Sequence, residues 1–256
     1  MAATIIRKES VDFLKKLAKN NTREWFNDHK ELYTAAQTNM VEFAGDLLAE
    51  MNKHDQIETT SGKQSLFRIY KDVRFSKEKV PYNNHWSGSF KRATNKLRGG
   101  YYFHIQPGGS FLAGGFWGPD KNDTQRIRQD IDHNYEAWHK MLTNKNLAKT
   151  FGKMIGDQVL SAPRGFSKDH PAIELLRYKQ YLFRHDFTDE EVLSPDFVKK
   201  ANDTFKALRP FLDFMSEILT TDSNGISLVD WSGIKLNTSL KNGLKSKLHF
   251  CYFCIL

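Results

Sequence analysis

The spacing of apolar residues changes along this chain, and that change restricts the folds it can adopt. From residue 33 to residue 51 apolar side chains recur every three or four positions, the spacing of an amphipathic helix. From residue 67 to residue 75 they recur every second position, which predicts a strand with one buried face. Helical spacing returns at 125–142 and again after Pro195. Strands grouped between helical blocks favour an α+β fold with an antiparallel sheet, because a parallel sheet requires regular alternation of strands and helices.

A β-hairpin is the clearest local prediction. Strand-like alternation at 101–106 leads into the turn residues Pro107-Gly108-Gly109-Ser110, and a second apolar run follows at 111–117. Gly114 and Gly115 lie inside that second strand, where glycine indicates a bulge or a close backbone approach. We therefore predict an antiparallel sheet with a central hairpin, packed by several amphipathic helices.

The helical segments carry start signals and one expected break. Asn21 and Glu24 resemble a capping box, which predicts one long helix from there to about Asn52. The last helical block contains Pro210, and a proline inside a helix predicts a kink or two helices end to end.

Composition and length indicate one folded domain. The 256 residues are 39% hydrophobic, which excludes disordered and low-complexity classes, and no linker-like stretch divides the chain. We expect a single domain over 1–220 and a basic C-terminal appendage over 221–256. The N-terminal residues lack a signal-peptide pattern, and Cys251 and Cys254 are the only cysteines, so we expect a cytoplasmic protein without a membrane segment.

The positive charge is concentrated in one part of the sequence. The whole chain carries a formal net charge of +8. Residues 61–100 hold ten basic side chains and two acidic ones, so their net charge is also +8. Such a concentration of Lys and Arg attracts phosphates, carboxylates or a nucleic-acid backbone.

The ordered motif within this segment predicts a binding site. Arg68, Tyr70, Asp72 and Arg74 alternate with the apolar positions of the predicted strand, and the loop after it carries Lys77 and Lys79. Two arginines on one strand face can clamp an oxyanion, with Asp72 holding one of them. His104 joins this face if the hairpin pairs nearby.

We therefore predict binding, with or without turnover, of an anionic, phosphate-bearing small molecule. Asp72 or His104 would be the general base if the protein is an enzyme. A solvated sheet face explains the same alternation. Two further hypotheses are a nucleic-acid-binding module, with the patch extended by Lys91 to Arg98, and a structural face for a protein partner.

No cofactor or metal site is predicted. Asp130, His133 and Glu136 share one helical face, but no matching partner helix with metal-ligand spacing is found. Neither a dinucleotide-binding glycine motif nor a phosphate-binding loop occurs in the sequence.

Several motifs resemble, in order, the domain of unknown function 2461 family, which comprises conserved hypothetical proteins of bacteria and fungi. The most specific is the string Arg68 to Tyr82. The resemblance covers residues 9 to 220 and implies a single cytosolic domain, but it implies no activity, substrate or cofactor. The other segments that carry it are Asn20 to Phe26 with His29-Lys30, Gly100 to Ile105, Gly114 to Trp117, Ala162 to Phe166 with Asp169 to Pro171, and Phe205 to Phe211.

Overall fold

The computed structural model describes residues 3–72, 74, 80–222 and 226–229. Within these ranges it has ten helices and four strands, which confirms the α+β class. The helices are α1 (Lys8–Lys19), α2 (Arg23–Asp28), α3 (Lys30–Met51), α4 (Gly62–Ser65), α5 (Lys121–His133), α6 (Tyr135–Leu142), α7 (Lys145–Phe151), α8 (Ile173–Leu176), α9 (Asp189–Val192) and α10 (Phe197–Thr220), and the strands are β1 (Trp86–Lys91), β2 (Gly100–Ile105), β3 (Ser110–Phe116) and β4 (Tyr181–Phe187).

The four strands form one antiparallel sheet in the order β1-β2-β3-β4. Its centre is the hairpin of β2 and β3, in which His104 faces Phe111. β1 pairs with β2 through Ser87 opposite His104, and β4 pairs with β3 through Asp186 opposite Phe111. The predicted central hairpin is therefore confirmed.

One face of the sheet packs against α3 and α10. Phe43 of α3 contacts Phe103, and Phe205 and Phe211 of α10 contact Tyr101 and Phe183. These side chains are fully buried and belong to the main core. The opposite face carries a small separate cluster of Tyr102, Phe111 and Ala113, partly covered by Phe67.

One predicted helix is divided and another continues past an expected break. The expected single helix from Asn21 is two helices, because the backbone leaves helical geometry at His29, where φ is −116° and ψ is 25°; the backbone N–H of His29, at 3.1 Å, and its ring Nδ1, at 2.8 Å, both contact the Trp25 carbonyl. The N-cap is Thr22, whose hydroxyl accepts from Trp25 N–H. At Pro210 the alternative of two helices end to end is wrong, because α10 continues through it, whereas a kink stays a prediction. Pro210 and Lys206, whose carbonyl loses its usual donor, are both exposed, so water can satisfy that carbonyl.

The described part of 67–75, which is 67–72 and 74, does not form a strand of the main sheet. It makes one isolated bridge, Tyr70 with Tyr82, and Leu66 just before it bridges Gly88. Ile69 is buried whereas Arg68 and Tyr70 are more open to solvent, so the alternation read from the sequence holds there. Val73 and Phe75 lie outside the described residues. Strand β1 was not predicted from the sequence. Ser87, Gly88 and Ser89 lie within it, so it lacks the alternation of apolar residues that indicates a strand.

The glycine pair in β3 confirms the predicted close approach. A Cβ on Gly115, where φ is +132°, would lie 2.1 Å from the Tyr181 carbonyl oxygen, and one on Gly114 would lie 2.4 Å from Leu208. The strands can therefore pair and meet α10 only without side chains at these positions.

The predicted C-terminal appendage falls almost wholly outside the described residues. Of 221–256, the structure describes 221, 222 and 226–229. Leu228 N–H donates to the Thr220 carbonyl at 2.8 Å, which ties that piece to the end of α10.

Candidate functional site

A concave pocket of about 520 Å³ lies at the face of the sheet opposite α3 and α10. We call it the main pocket. The sheet contributes side chains from β2, β3 and β4, and the remaining walls come from the end of α1 with Asn21 after it, the turn between β2 and β3, and the irregular segments before β1. Its lining residues are Ala18, Asn21, Lys71, Val80, Tyr82, Asn83, Asn84, His85, His104, Gln106, Gly109, Phe111 and Arg184.

Two cationic side chains from distant parts of the chain line this pocket. Arg184 on β4 donates through Nε and Nη2 to Asp186 Oδ1, at 2.9 and 2.7 Å, and its guanidinium lies 3.9 Å from the centre of the Phe111 ring. Those two bonds leave the other N–H groups of the guanidinium for a ligand. Lys71 has no carboxylate within ion-pair distance among the described residues. None of the described lining residues is acidic; the carboxylate that pairs with Arg184 belongs to Asp186, which is not among them.

Two stacked imidazoles form one wall of the main pocket. The rings of His85 and His104 lie 4.1 Å apart at an angle of 29°. The ring nitrogens of His104 lie 3.1 Å from the Tyr102 hydroxyl and 2.9 Å from Gln106 Oε1. Because Oε1 can only accept, Nε2–H donates to Gln106, and the free electron pair of Nδ1 accepts from Tyr102.

Both imidazoles are neutral at physiological pH. Burial, together with the positive charge of Lys71 and the charge that His104 carries when protonated, lowers the pKa of His85 to about 3. Burial is also the main cause that lowers the pKa of His104, partly opposed by its hydrogen bond to Gln106. The positive charge of the pocket therefore comes from Lys71 and Arg184, while the imidazoles offer neutral polar groups.

A smaller cavity of about 300 Å³ adjoins the main pocket. We call it the side pocket. It shares Lys71 and Tyr82 with the main pocket, and Arg23, Asn27, Tyr70 and Pro81 complete its lining. Tyr70 is 54% exposed there, a large value for an aromatic side chain.

The residues predicted from the sequence are distributed over three environments. His104 lines the main pocket and Tyr70 the side pocket. Asp72 and Arg74 form a two-point ion pair on the surface, with Nε–Oδ1 at 2.9 Å and Nη2–Oδ2 at 2.6 Å. Arg68 lines neither pocket. Lys77 and Lys79 lie outside the described residues, so their role stays a prediction.

The basic segment 61–100 is divided in space. Arg92 is completely buried and pairs with Asp55 at 2.8 Å and with Asp213. Lys91 pairs with Glu58. Arg98 pairs with Asp123. Carboxylates outside the segment therefore neutralise much of the charge that is adjacent in sequence.

Lys71, His85 and Arg184 line the main pocket but were not among the predicted site residues. Lys71 did carry a signal, because it interrupts the apolar positions of its segment. His85 precedes a strand that has no apolar alternation, and Arg184 lies on β4, far from the basic segment. Their convergence depends on the order of the strands, which a single sequence does not reveal.

The chain was compared with known proteins. Residues 9–214 match the family described as "Conserved hypothetical protein (DUF2461)". The chain belongs to this family. Neither the curated proteins nor the solved structures gave a match.

Two other features bear on the class of site. Among the described residues, no three His, Cys, Asp or Glu side chains are grouped so that they could hold a metal ion. Over the same ranges, every helix is too short or too polar to cross a lipid bilayer.

Proposed function

We propose that the main pocket binds a small anionic molecule, most favourably one that bears a phosphate group. The observation that carries this proposal is the convergence of Lys71 and Arg184 on one concave pocket whose described lining contains no acidic residue. The proposal keeps the anionic ligand expected from the sequence and centres it on Lys71, Arg184 and His104.

The chemistry of the pocket walls suits a phosphate. Lysine provides a mobile point charge, and the planar guanidinium of arginine provides directed N–H donors. The amides of Asn83 and Asn84 add neutral donors. A volume of about 520 Å³ lies within the usual range of about 300–1,000 Å³ for small-molecule sites.

The geometry favours binding over general-base catalysis. Both ring nitrogens of His104 are occupied by Tyr102 and Gln106. Asp72 is held by Arg74 on the surface. His85 has a pKa of about 3, which makes it a weak base at neutral pH. We therefore propose binding without a step of proton abstraction by these groups.

Nucleic-acid binding has less support. Its expected extension from Lys91 to Arg98 contains one buried arginine and two cations paired with carboxylates. A backbone-binding surface needs cations that are open to phosphates.

The proposal is tested by thermal-shift and calorimetric titration of the full chain with ribose 5-phosphate, inorganic phosphate and sulfate. Lys71→Met removes a charge-assisted contact, for which about 1.5–3 kcal/mol corresponds to a tenfold or larger loss of affinity. Arg184→Met is expected to act in the same direction.

Two variants serve as matched controls. Lys63→Met and Arg68→Met each remove a cation that lines neither pocket, and both should leave the affinity unchanged. No response to any phosphate ligand at moderate salt refutes the proposal. An affinity that falls steeply with salt and is equally insensitive to all four substitutions points instead to a diffuse nucleic-acid surface.

A further inference from the structure

The side pocket is built around an aromatic ring that is both exposed and firmly supported. Tyr70 packs against Phe26 at 5.7 Å, edge to face, and against Tyr82 at 5.4 Å. Tyr82 itself stacks on Phe26 at 4.0 Å. More than half of the Tyr70 surface nevertheless remains open to solvent. An aromatic ring that neighbouring rings hold in place, and that is still exposed to solvent, can stack with a ring of a ligand.

The backbone beneath this ring is fixed by hydrogen bonds. Lys71 N–H donates to the Pro81 carbonyl at 2.9 Å, and Asn83 N–H donates to the Ile69 carbonyl at 2.8 Å. The side-chain amide of Asn21 holds the Tyr82 backbone, accepting from its N–H at 3.1 Å and donating to its carbonyl at 2.8 Å. The wall shared by the two pockets is therefore formed before any ligand arrives.

Polar side chains around Tyr70 can form hydrogen bonds with the edge of a ligand ring that stacks on it. Arg23 has no carboxylate within ion-pair distance among the described residues, and Asn27 carries a side-chain amide that can both donate and accept. Lys71 lines both pockets, so a single ligand with a charged group in the main pocket and a ring in the side pocket would pass beside it.

We propose that the side pocket holds a planar heteroaromatic ring of the same ligand whose phosphate occupies the main pocket, so that the ligand is nucleotide-like. This inference rests on the proposed function of the main pocket. The alternative occupant of the side pocket is a second phosphate, which would use Arg23 and Lys71 but would leave the exposed ring of Tyr70 without a role. A base uses that ring, because it can stack on it.

The test compares the affinities of ribonucleoside 5′-monophosphates, ribose 5-phosphate and ribose 1,5-bisphosphate for the full chain by calorimetry. We expect at least one nucleotide to bind about tenfold more tightly than ribose 5-phosphate, as base stacking on an aromatic residue provides. Tyr70→Ala should abolish this gain and leave the affinity for ribose 5-phosphate within about twofold, while Tyr70→Phe keeps the gain because it retains the ring.

The outcomes separate the two proposals. Equal affinities for nucleotides and ribose 5-phosphate overturn the base-binding inference and leave the phosphate site standing. The same holds if the bisphosphate is the tightest ligand, or if Tyr70→Ala weakens nucleotide and sugar phosphate equally. Absence of binding by every phosphate overturns both. Thermal unfolding of both variants is measured alongside: Tyr70→Ala loses the ring contacts with Phe26 and Tyr82 and should lower Tm modestly, whereas Tyr70→Phe keeps them, so affinities are compared at a temperature where every variant is folded.

Discussion

The buried ion pair of Arg92 and Asp55 gives a demanding test of how the basic segment is arranged. Arg92→Met removes a guanidinium that bonds Asp55 through Nε at 2.8 Å and through Nη2 at 3.2 Å, and that also reaches Ser216 and the Arg98 carbonyl at 3.3 Å. Methionine fills part of the space but leaves the carboxylate of Asp55 buried without its countercharge. Removing one partner of such a pair costs about 3–5 kcal/mol of unfolding free energy.

The remaining partners of each carboxylate place the expected loss within that range. Asp55 keeps bonds from the Tyr101 hydroxyl at 2.6 Å and the Gln56 N–H at 2.8 Å. Asp213 is 44% exposed and lies 3.3 Å from Arg209, so water and Arg209 can stabilise its negative charge when Arg92 is removed. We therefore expect about 3 kcal/mol, or a fall in Tm of roughly 6–12 °C for a domain of this size.

Urea unfolding followed by circular dichroism measures this loss. Lys91→Met is the matched control, because the neighbouring Lys91–Glu58 pair is exposed and should leave the midpoint unchanged. Asp55→Asn introduced into the Arg92→Met protein removes the stranded charge and should restore part of the stability. A loss below about 1 kcal/mol for Arg92→Met would mean that Asp55 is solvated or protonated and that the buried pair is described wrongly.

Two further predictions concern the sheet and its histidines. Burial keeps His85 neutral in the folded protein, with a pKa of about 3 against an ordinary 6.5, while the unfolded chain takes up a proton there. The contribution of His85 to stability is therefore complete above pH 6.5 and falls below it by at most about 1.4 kcal/mol per pH unit, and the lowered pKa of His104 adds a loss in the same direction, as urea titrations from pH 7 to pH 4.5 can measure. His85→Phe should reduce that slope, and an unchanged slope contradicts the assignment. Gly115→Ala should lower the urea midpoint strongly because its Cβ meets the Tyr181 carbonyl at 2.1 Å, whereas Gly108→Ala, which meets open space at a positive φ in the turn, should cost only backbone strain; equal losses would argue against the close approach.

Local patterns in the sequence predicted most of the fold. The hairpin, the amphipathic helices and the close approach at Gly114 and Gly115 follow from residue spacing and glycine geometry, which are local properties. Two details of the helices did not follow from spacing. The non-helical backbone of His29 divides the predicted long helix, although the apolar spacing continues across it. Solvent exposure at Pro210 and Lys206 allows α10 to continue as one helix through the proline.

The pocket was only partly predictable. His104 was identified because it alternates with apolar residues on a clear strand. Arg184 depends on β4 pairing beside β3, and His85 depends on a stacking contact with His104, so neither carries a local signal. The basic residues of 61–100 do not form the single charged surface that their closeness in sequence suggests. Arg92 lies in the core, and Lys91 and Arg98 pair with carboxylates from other parts of the chain.

The most direct test of the phosphate site is a titration of ¹⁵N-labelled protein with ribose 5-phosphate, followed through the imidazole nitrogens by long-range ¹H–¹⁵N NMR. We predict saturable shifts at His85 and His104, which line the main pocket, and none at His54, which bonds Asn202 on the helical side of the sheet. Shifts that spare His85 and His104 while binding is still measurable would place the ligand elsewhere and contradict the proposed site.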